Sequence, residues 1–136
     1  MTAYIWEGKT NRGFQEAISE YIEQLAPRLG INEKALCDIQ VAVCEAATNC
    51  QEHAYGGKHG KLRVELEKKK NKVIVRVLDW GDSVEVQNVP TPHITTDLDE
   101  LDLEGLGILM MRKAMDKVEF STLPSGENSV EMHKRV

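Results

Sequence analysis

The chain has 136 residues, 41% apolar and 29% charged, and a formal net charge of −5. That is the length and make-up of one globular domain, which buries roughly two-thirds of its unfolded surface; wholesale disorder is excluded. The acidic balance argues against nucleic acid as a partner, and no apolar run of about 18 residues is present to span a membrane.

The opening residues Met1-Thr2-Ala3-Tyr4-Ile5-Trp6 lack a basic region and an apolar signal stretch, so a cytoplasmic location is expected. Residues 3–7 read as a short first strand. From Asn11, the residues Phe14, Ala17, Ile18, Tyr21, Ile22 and Leu25 recur at three and four, which predicts an amphipathic helix ending near Pro27 and Gly30. Asn32 is a plausible N-cap for a second helix that carries Leu36, Ile39, Val43, Ala46, Ala47 and Cys50 and runs to about Ala54. Cys37, Cys44 and Cys50 all fall on it; their spacing matches no CxxC metal or redox motif, and they read as small apolar fillers.

Leu62, Val64 and Leu66 alternate with charged residues, the pattern of a half-buried strand. After a turn at Lys68–Asn71, the more apolar run Lys72–Leu78 reads as a strand nearer the sheet centre. The basic triplet Lys68-Lys69-Lys70 belongs to that turn rather than to a binding patch. Residues 82–104 have two prolines, many acids and little periodicity, the profile of a functional or mobile loop. A third helix is expected from Gly105 to about Asp116, and residues 118–120 and 129–134 read as two last strands around Pro124-Ser125-Gly126. The order helix, helix, hairpin, loop, helix, hairpin predicts an α+β fold. It is a two-layer sandwich: a mixed, mostly antiparallel sheet covered on one face by helices, in a single domain over 1–136. No GxxxxGK[ST] is present.

Three segments could carry chemistry. Glu45 and Asn49 stand four apart on the second helix and share a face, so a carboxylate and an amide oxygen can aim at one cation or its waters. The same spacing also suits a solvated polar stripe. Asp79 closes an apolar strand and is followed by Trp80-Gly81. That is either a strand-ending turn or a place where backbone approaches a ligand and a carboxylate accepts from an exocyclic amine. Gly105-Leu106-Gly107 opens a helix, where free N–H groups and the helix dipole favour an anion, or it is a flexible loop exit. His53 can reach such an anion from the end of its helix or satisfy that helix's carbonyls. Trp80 reads as a sheet-edge plug.

Together and in this order, the three segments resemble the GHKL ATPase/kinase superfamily, which has the Bergerat ATP-binding fold. The closer likeness is to its bacterial anti-sigma factor serine kinases. Glu45-Ala-Ala-Thr-Asn49 with His53-Ala-Tyr55 resembles that branch's N-box, Asp79-Trp-Gly81 its first glycine box, and Gly105-Leu-Gly107-Ile-Leu-Met-Met-Arg112 its second. The likeness spans about residues 10 to 135.

The resemblance implies that Asn49 ligates Mg2+ and Glu45 is the catalytic base. It also implies that Asp79 binds the adenine amine of ATP, and that Gly81, Gly105, Leu106 and Gly107 shape the pocket and lid, with His53 near the phosphates. It implies a serine-protein kinase acting on a small anti-sigma antagonist (STAS-type) protein and sequestering a sigma factor, often as a homodimer. The alternative is an ATP-binding interaction module without transfer.

The sequence departs from that pattern in three places. Ser83 stands where the first box usually has another glycine. Asn128-Ser129 occupies the region of a threonine that usually supports the adenine-binding acid; either residue can substitute, and Ser129 is assigned to the site. Between Arg76 and Arg112 there is no Lys or Arg, while Asp82, Glu85, Asp97, Asp99, Glu100, Asp102 and Glu104 fall there. An acidic lid over a triphosphate is unfavourable unless a basic partner surface, His53, Lys58 or Lys61 supplies the charge.

Overall fold

A computed structural model describes residues 3–81 and 103–136. Its elements are β1 (Tyr4–Lys9), α1 (Phe14–Leu29), α2 (Glu33–Asn49), a single π-helical segment (Cys50–Ala54), β2 (Lys61–Lys69), β3 (Lys72–Asp79), α3 (Leu103–Ala114), β4 (Lys117–Thr122) and β5 (Asn128–Arg135). The strands form one sheet in the order β1-β2-β3-β5-β4, with every neighbouring pair antiparallel. The expected mixed sheet therefore has no parallel pair among the described residues.

Strand β3 is central, and its sequence says why. Val73, Val75 and Val77 face the helices, while Ile74 and Leu78 on the other face are buried as well. One face packs on Ile18, Ile22, Leu29, Ile39, Val43, Ala46 and Met111 from the three helices, together with Leu62, Val64, Leu66 and Met132 of neighbouring strands. The other face is bound by charge. Arg76 Nε pairs with Glu131 at 2.7 Å and its Nη2 with Glu67 at 3.1 Å, and Arg63 pairs with Glu65 at 2.8 Å and Glu7 at 3.0 Å. Such half-exposed pairs contribute about 0–1 kcal/mol each. The helix-facing core, at about 1.5–3 kcal/mol per fully buried large apolar side chain, is the greater term.

The element borders differ from expectation where backbone geometry decides them. Helix α1 begins at Phe14 because Gly13 sits in the left-handed region at φ 85°, and it continues through Pro27 to the left-handed Gly30. Asn32 caps α2 as expected, its Oδ1 accepting from the Ala35 N–H at 2.8 Å. The last turn of that helix, read as α-helix to Ala54, widens into the π-helical segment directly after Asn49. Helix α3, expected from Gly105 to about Asp116, runs from Leu103 to Ala114, so Gly105 and Gly107 lie inside its first turns rather than at its start.

Candidate nucleotide site

The helix formed by α2 and its π-helical extension touches every other piece of the site. Near the end of α2, Glu45 and Asn49 are half-buried. A side-chain carbon added to Gly107 of α3 would lie 2.9 Å from Glu45 Oε2 and 3.7 Å from Asn49 Oδ1. Two oxygens that only accept hydrogen bonds at these atoms thus point at one small space, kept open because residue 107 has no side chain. Neither side chain has a hydrogen bond or ion pair among the described residues. This is the arrangement that one amide and one carboxylate oxygen need to meet a hydrated divalent cation or its waters.

One residue on, Cys50 is 4% exposed and meets the carboxylate of Asp79, itself 6% exposed at the end of β3. Burial pushes the Cys50 thiol well above its usual range, and the charge of Asp79 and a hydrogen bond to it push the same way. The thiol therefore stays protonated beside the carboxylate. Asp79 Oδ1 also accepts from the Gly81 N–H at 3.0 Å and from Asn128 Nδ2 at 2.8 Å. Burying a carboxylate is costly unless donors surround it, and these two hydrogen bonds offset that cost.

At the far end of the π-helical segment, Ala54 meets Gly81. A side-chain carbon on Gly81 would lie 2.3 Å from the Ala54 carbonyl oxygen, so the turn after β3 passes too close to this backbone for any side chain. Tyr55 secures the same turn from the next residue: its hydroxyl accepts from the Trp80 N–H at 2.9 Å and donates to the Lys61 carbonyl. Burial raises the Tyr55 phenol above its ordinary value, with the Asp79 charge adding to the shift. Trp80 is 42% exposed, with the Lys61 ammonium 4.5 Å from its ring centre. It lies on the surface of the turn rather than plugging the sheet edge. Lys61, one candidate source of charge for the phosphates, is placed over that ring.

His53 lies within the π-helical segment and is half-buried. Gly105 and Gly107 are buried in α3, and Leu106 between them is half-buried. The acidic stretch Asp82–Asp102, including Ser83, lies outside the described residues.

Ser129 needs correction. It pairs with Leu78, whereas Asn128 pairs with Asp79. Neighbouring residues of a strand point to opposite sheet faces, so Ser129 belongs to the outer face. There it lines a cavity of about 380 Å³ with Arg76, Ser121 and Glu131. Asn128 is the residue that meets the adenine-binding candidate. The alternation of Val130 and Met132 as core-facing residues carried this parity in the sequence. Cys50 was legible only as a small buried residue; its bond to Asp79 depends on the π-helical turn.

An antiparallel sheet with helices on one face, and a helix-borne Glu/Asn pair set beside a buried strand-end aspartate, a glycine turn and a glycine-bearing helix, define a Bergerat-type ATPase domain. The family model described as histidine kinase-like ATPase domain matches residues 15–134, and the chain belongs to that family. It is 32% identical over 120 residues to an anti-sigma F factor of Caldanaerobacter subterraneus subsp. tengcongensis, covering 88% of this chain and 80% of the relative. It is also 32% identical over 100 residues to the serine-protein kinase RsbW of Listeria innocua, covering 70% of this chain and 64% of that protein. Two solved structures share the fold. The RsbU and RsbW domains of a Mycobacterium tuberculosis protein match with a TM-score of 0.69 and 14% identity, over 99% of this chain and 32% of that one. The SiaB-SiaC complex of Pseudomonas aeruginosa matches with a TM-score of 0.64 and 13% identity, over 98% and 89%. Among the described residues no helix is long and apolar enough to cross a membrane.

Proposed function

We propose that this chain acts as a single ATPase domain over residues 1–136. In this reading it is a serine-protein kinase that phosphorylates a small anti-sigma antagonist protein, sequesters a sigma factor and works in the cytoplasm as a homodimer. The observation that carries the reading is the convergence on one helix of Glu45 and Asn49 with Gly107, of Cys50 with Asp79, and of Ala54 with Gly81. The names of the relatives, anti-sigma F factor and serine-protein kinase RsbW, support the choice of reaction and partner.

The residues present fit ATP. Asp79 is a buried, oriented acceptor for the exocyclic amine of adenine. Gly81 keeps the turn after Asp79 packed against the Ala54 backbone, and the first turns of α3, where Gly107 leaves room beside Glu45 and Asn49, lie on the phosphate side. Asn49 Oδ1 would hold Mg2+, whose bound charge neutralises the phosphates during transfer. Glu45 accepts the proton of the partner's serine hydroxyl as that oxygen attacks the γ-phosphate. His53 lies one turn beyond Asn49 and serves the phosphate side. Phosphoryl transfer depends mostly on positioning and charge neutralisation, which suits a site with so few reactive groups.

A second reading has one observation in its favour. The absence of any Lys or Arg between Arg76 and Arg112 suits a module that holds ATP without transferring phosphate. The two are separated by incubating the protein with γ-labelled ATP, Mg2+ and a candidate antagonist. The kinase reading expects label on a serine of the partner, lost in Glu45→Ala while ATP binding persists. Label that survives in Glu45→Ala refutes the base, and tight ATP binding with no transfer to any partner supports the module.

A further inference from the structure

At one end of the sheet's outer face the charges do not balance. The cross-strand partners there are Ile5 with Glu65, Glu7 with Arg63 and Lys9 with Lys61. The middle rung sets opposite charges against each other and closes an ion pair at 3.0 Å. The last rung sets two ammonium groups against each other, which destabilises a sheet. Both lysines are exposed, and neither has an ion pair among the described residues. The exposed Lys58 joins them from the loop before β2. Thr10, wholly buried beside Lys9, holds that loop: its hydroxyl donates to the Lys58 carbonyl at 3.3 Å and accepts from the Gly60 N–H at 3.0 Å, and its own N–H donates to the Gly60 carbonyl at 2.9 Å. At the other edge stands Trp80, 42% exposed, with Lys61 Nζ over its ring. Three cations and an exposed aromatic ring are thus fixed together in a chain of net charge −5.

We propose that Lys9, Lys58 and Lys61, with Trp80 at their edge, form a docking surface for an acidic segment of a protein partner. Folding gains nothing from two facing ammonium groups, whereas carboxylates laid across them turn the repulsion into attraction. The lysine stems and the indole ring add apolar contact beneath such a segment. A nucleic acid suits the surface less well. The acidic chain repels a long polyanion, and Lys61 already covers one face of the ring on which a base would stack. The surface also adjoins the turn that carries Asp79. The Tyr55 hydroxyl accepts from the Trp80 N–H and donates to the Lys61 carbonyl, so a partner held here rests on the same bracket as that turn. The proposal stands whether or not the chain transfers phosphate.

The test measures binding of a labelled oligoglutamate peptide by fluorescence anisotropy, beside a thymidine oligonucleotide of equal charge. The variants are Lys9→Glu alone, the triple reversal Lys9→Glu/Lys58→Glu/Lys61→Glu, and a control reversal at the exposed hairpin tip, Lys69→Glu/Lys70→Glu. Trp6→Phe leaves Trp80 as the lone tryptophan, so its emission reports occupancy. The expected result is peptide binding that weakens with salt and changes Trp80 emission. Affinity falls at least about tenfold in the triple reversal, as the loss of three exposed ion pairs implies, and keeps its wild-type value in the control. Lys9→Glu sets opposite charges on the last rung. It should therefore raise the melting temperature slightly while weakening the peptide a few-fold, a combination that a merely structural role does not produce. Equal losses in the triple and control reversals, or no loss in Lys9→Glu, overturn the surface. So does an oligonucleotide that binds more tightly than the peptide through the same lysines, or a triple reversal that lowers ATP affinity and leaves the peptide unaffected. A change from dimer to monomer in Lys9→Glu, with peptide affinity unaltered, overturns it in favour of a second copy of this chain.

Discussion

At the proposed purine end of the site, Asp79 is almost wholly buried and accepts from a backbone N–H and an amide, with the Cys50 thiol beside it. At the phosphate end, Glu45 and Asn49 are half-buried, and the bare Cα of Gly107 faces their oxygens. Both ends meet the same helix, through Glu45 and Asn49 at one and Cys50 and Ala54 at the other. The first has its acceptor held by donors within the protein, and the second has two acceptor oxygens beside Gly107 with no hydrogen-bond donor among the described residues. A nucleobase must be chosen by geometry fixed in advance, because a site whose donors and acceptors are held in place rejects the wrong base. A triphosphate with its cation brings its own charges, so the protein's share there is to leave oxygens and backbone available. On the proposed reading, binding belongs to the purine end and transfer to the phosphate end.

The two glycines probe this division most sharply. Gly81→Ala would drive a methyl group into the Ala54 carbonyl at 2.3 Å, and backbone must move to relieve it. We expect a loss of about 1–3 kcal/mol in denaturant unfolding, together with weakened ATP binding. Gly107→Ala meets the far end of the Glu45 side chain, which can swing aside. Alanine also favours a helix interior by up to about 1 kcal/mol over glycine. Folding stability should therefore hold or rise slightly, while phosphoryl transfer falls about tenfold because Glu45 and Asn49 lose their common space. If Gly107→Ala destabilises the chain as Gly81→Ala does, the phosphate end is as rigid as the purine end and the division fails.

A contact far from the chemistry supplies the smallest effect. Lys134 Nζ lies 2.9 Å from Asp38 and donates to the Ala114 carbonyl at the end of α3 at 2.7 Å, joining β5, α2 and α3. The hydrogen bond from Lys134 holds the Asp38 carboxyl below its usual range against partial desolvation, and Lys34 adds to the effect. The unfolded chain therefore takes up this proton first on acidification. The contribution to stability is whole above the ordinary carboxylate pKa of about 4 and disappears as pH falls through the lower folded value. Asp38→Asn should cost under about 1 kcal/mol at neutral pH and nothing at the acid limit, read from unfolding across that range. Neither ATP affinity nor transfer should change, since the contact serves both ends of the site alike.

Much of the fold was legible because periodicity reports it directly. The 3-and-4 spacing from Phe14 to Leu25 and the alternation of Leu62, Val64 and Leu66 identified both elements; the buried face matches at Phe14, Ile18, Ile22 and Leu25, while Ala17 is exposed and Tyr21 half-buried. The excess of apolar residues over Lys72–Leu78 also marked the central strand. What escaped depends on features without a period. Five residues cannot distinguish a π-turn from an α-turn, so the register that brings Cys50 under Asp79 and Ala54 against Gly81 stayed hidden. Asn128 and Ser129 are adjacent, polar and equally plausible as residue types. The alternation of Val130 and Met132 holds the parity that separates them, and the pairing of Asp79 with Asn128 across β3 and β5 makes it explicit. Gly81 was recognised for its place after the acid, but it is glycine because a neighbouring carbonyl is close, not because its backbone is left-handed.

The division between the two ends is tested most directly by measuring ATP affinity and serine phosphorylation side by side in Asp79→Asn and Glu45→Gln. Asp79→Asn should weaken ATP binding by roughly ten- to a hundredfold, the loss of a hydrogen bond to a charged acceptor. Glu45→Gln should bind ATP within about twofold of wild type yet transfer phosphate at least about a hundredfold more slowly, the usual contribution of a general base. Glu45→Gln that transfers at the wild-type rate, or Asp79→Asn that binds ATP undiminished, would contradict the account.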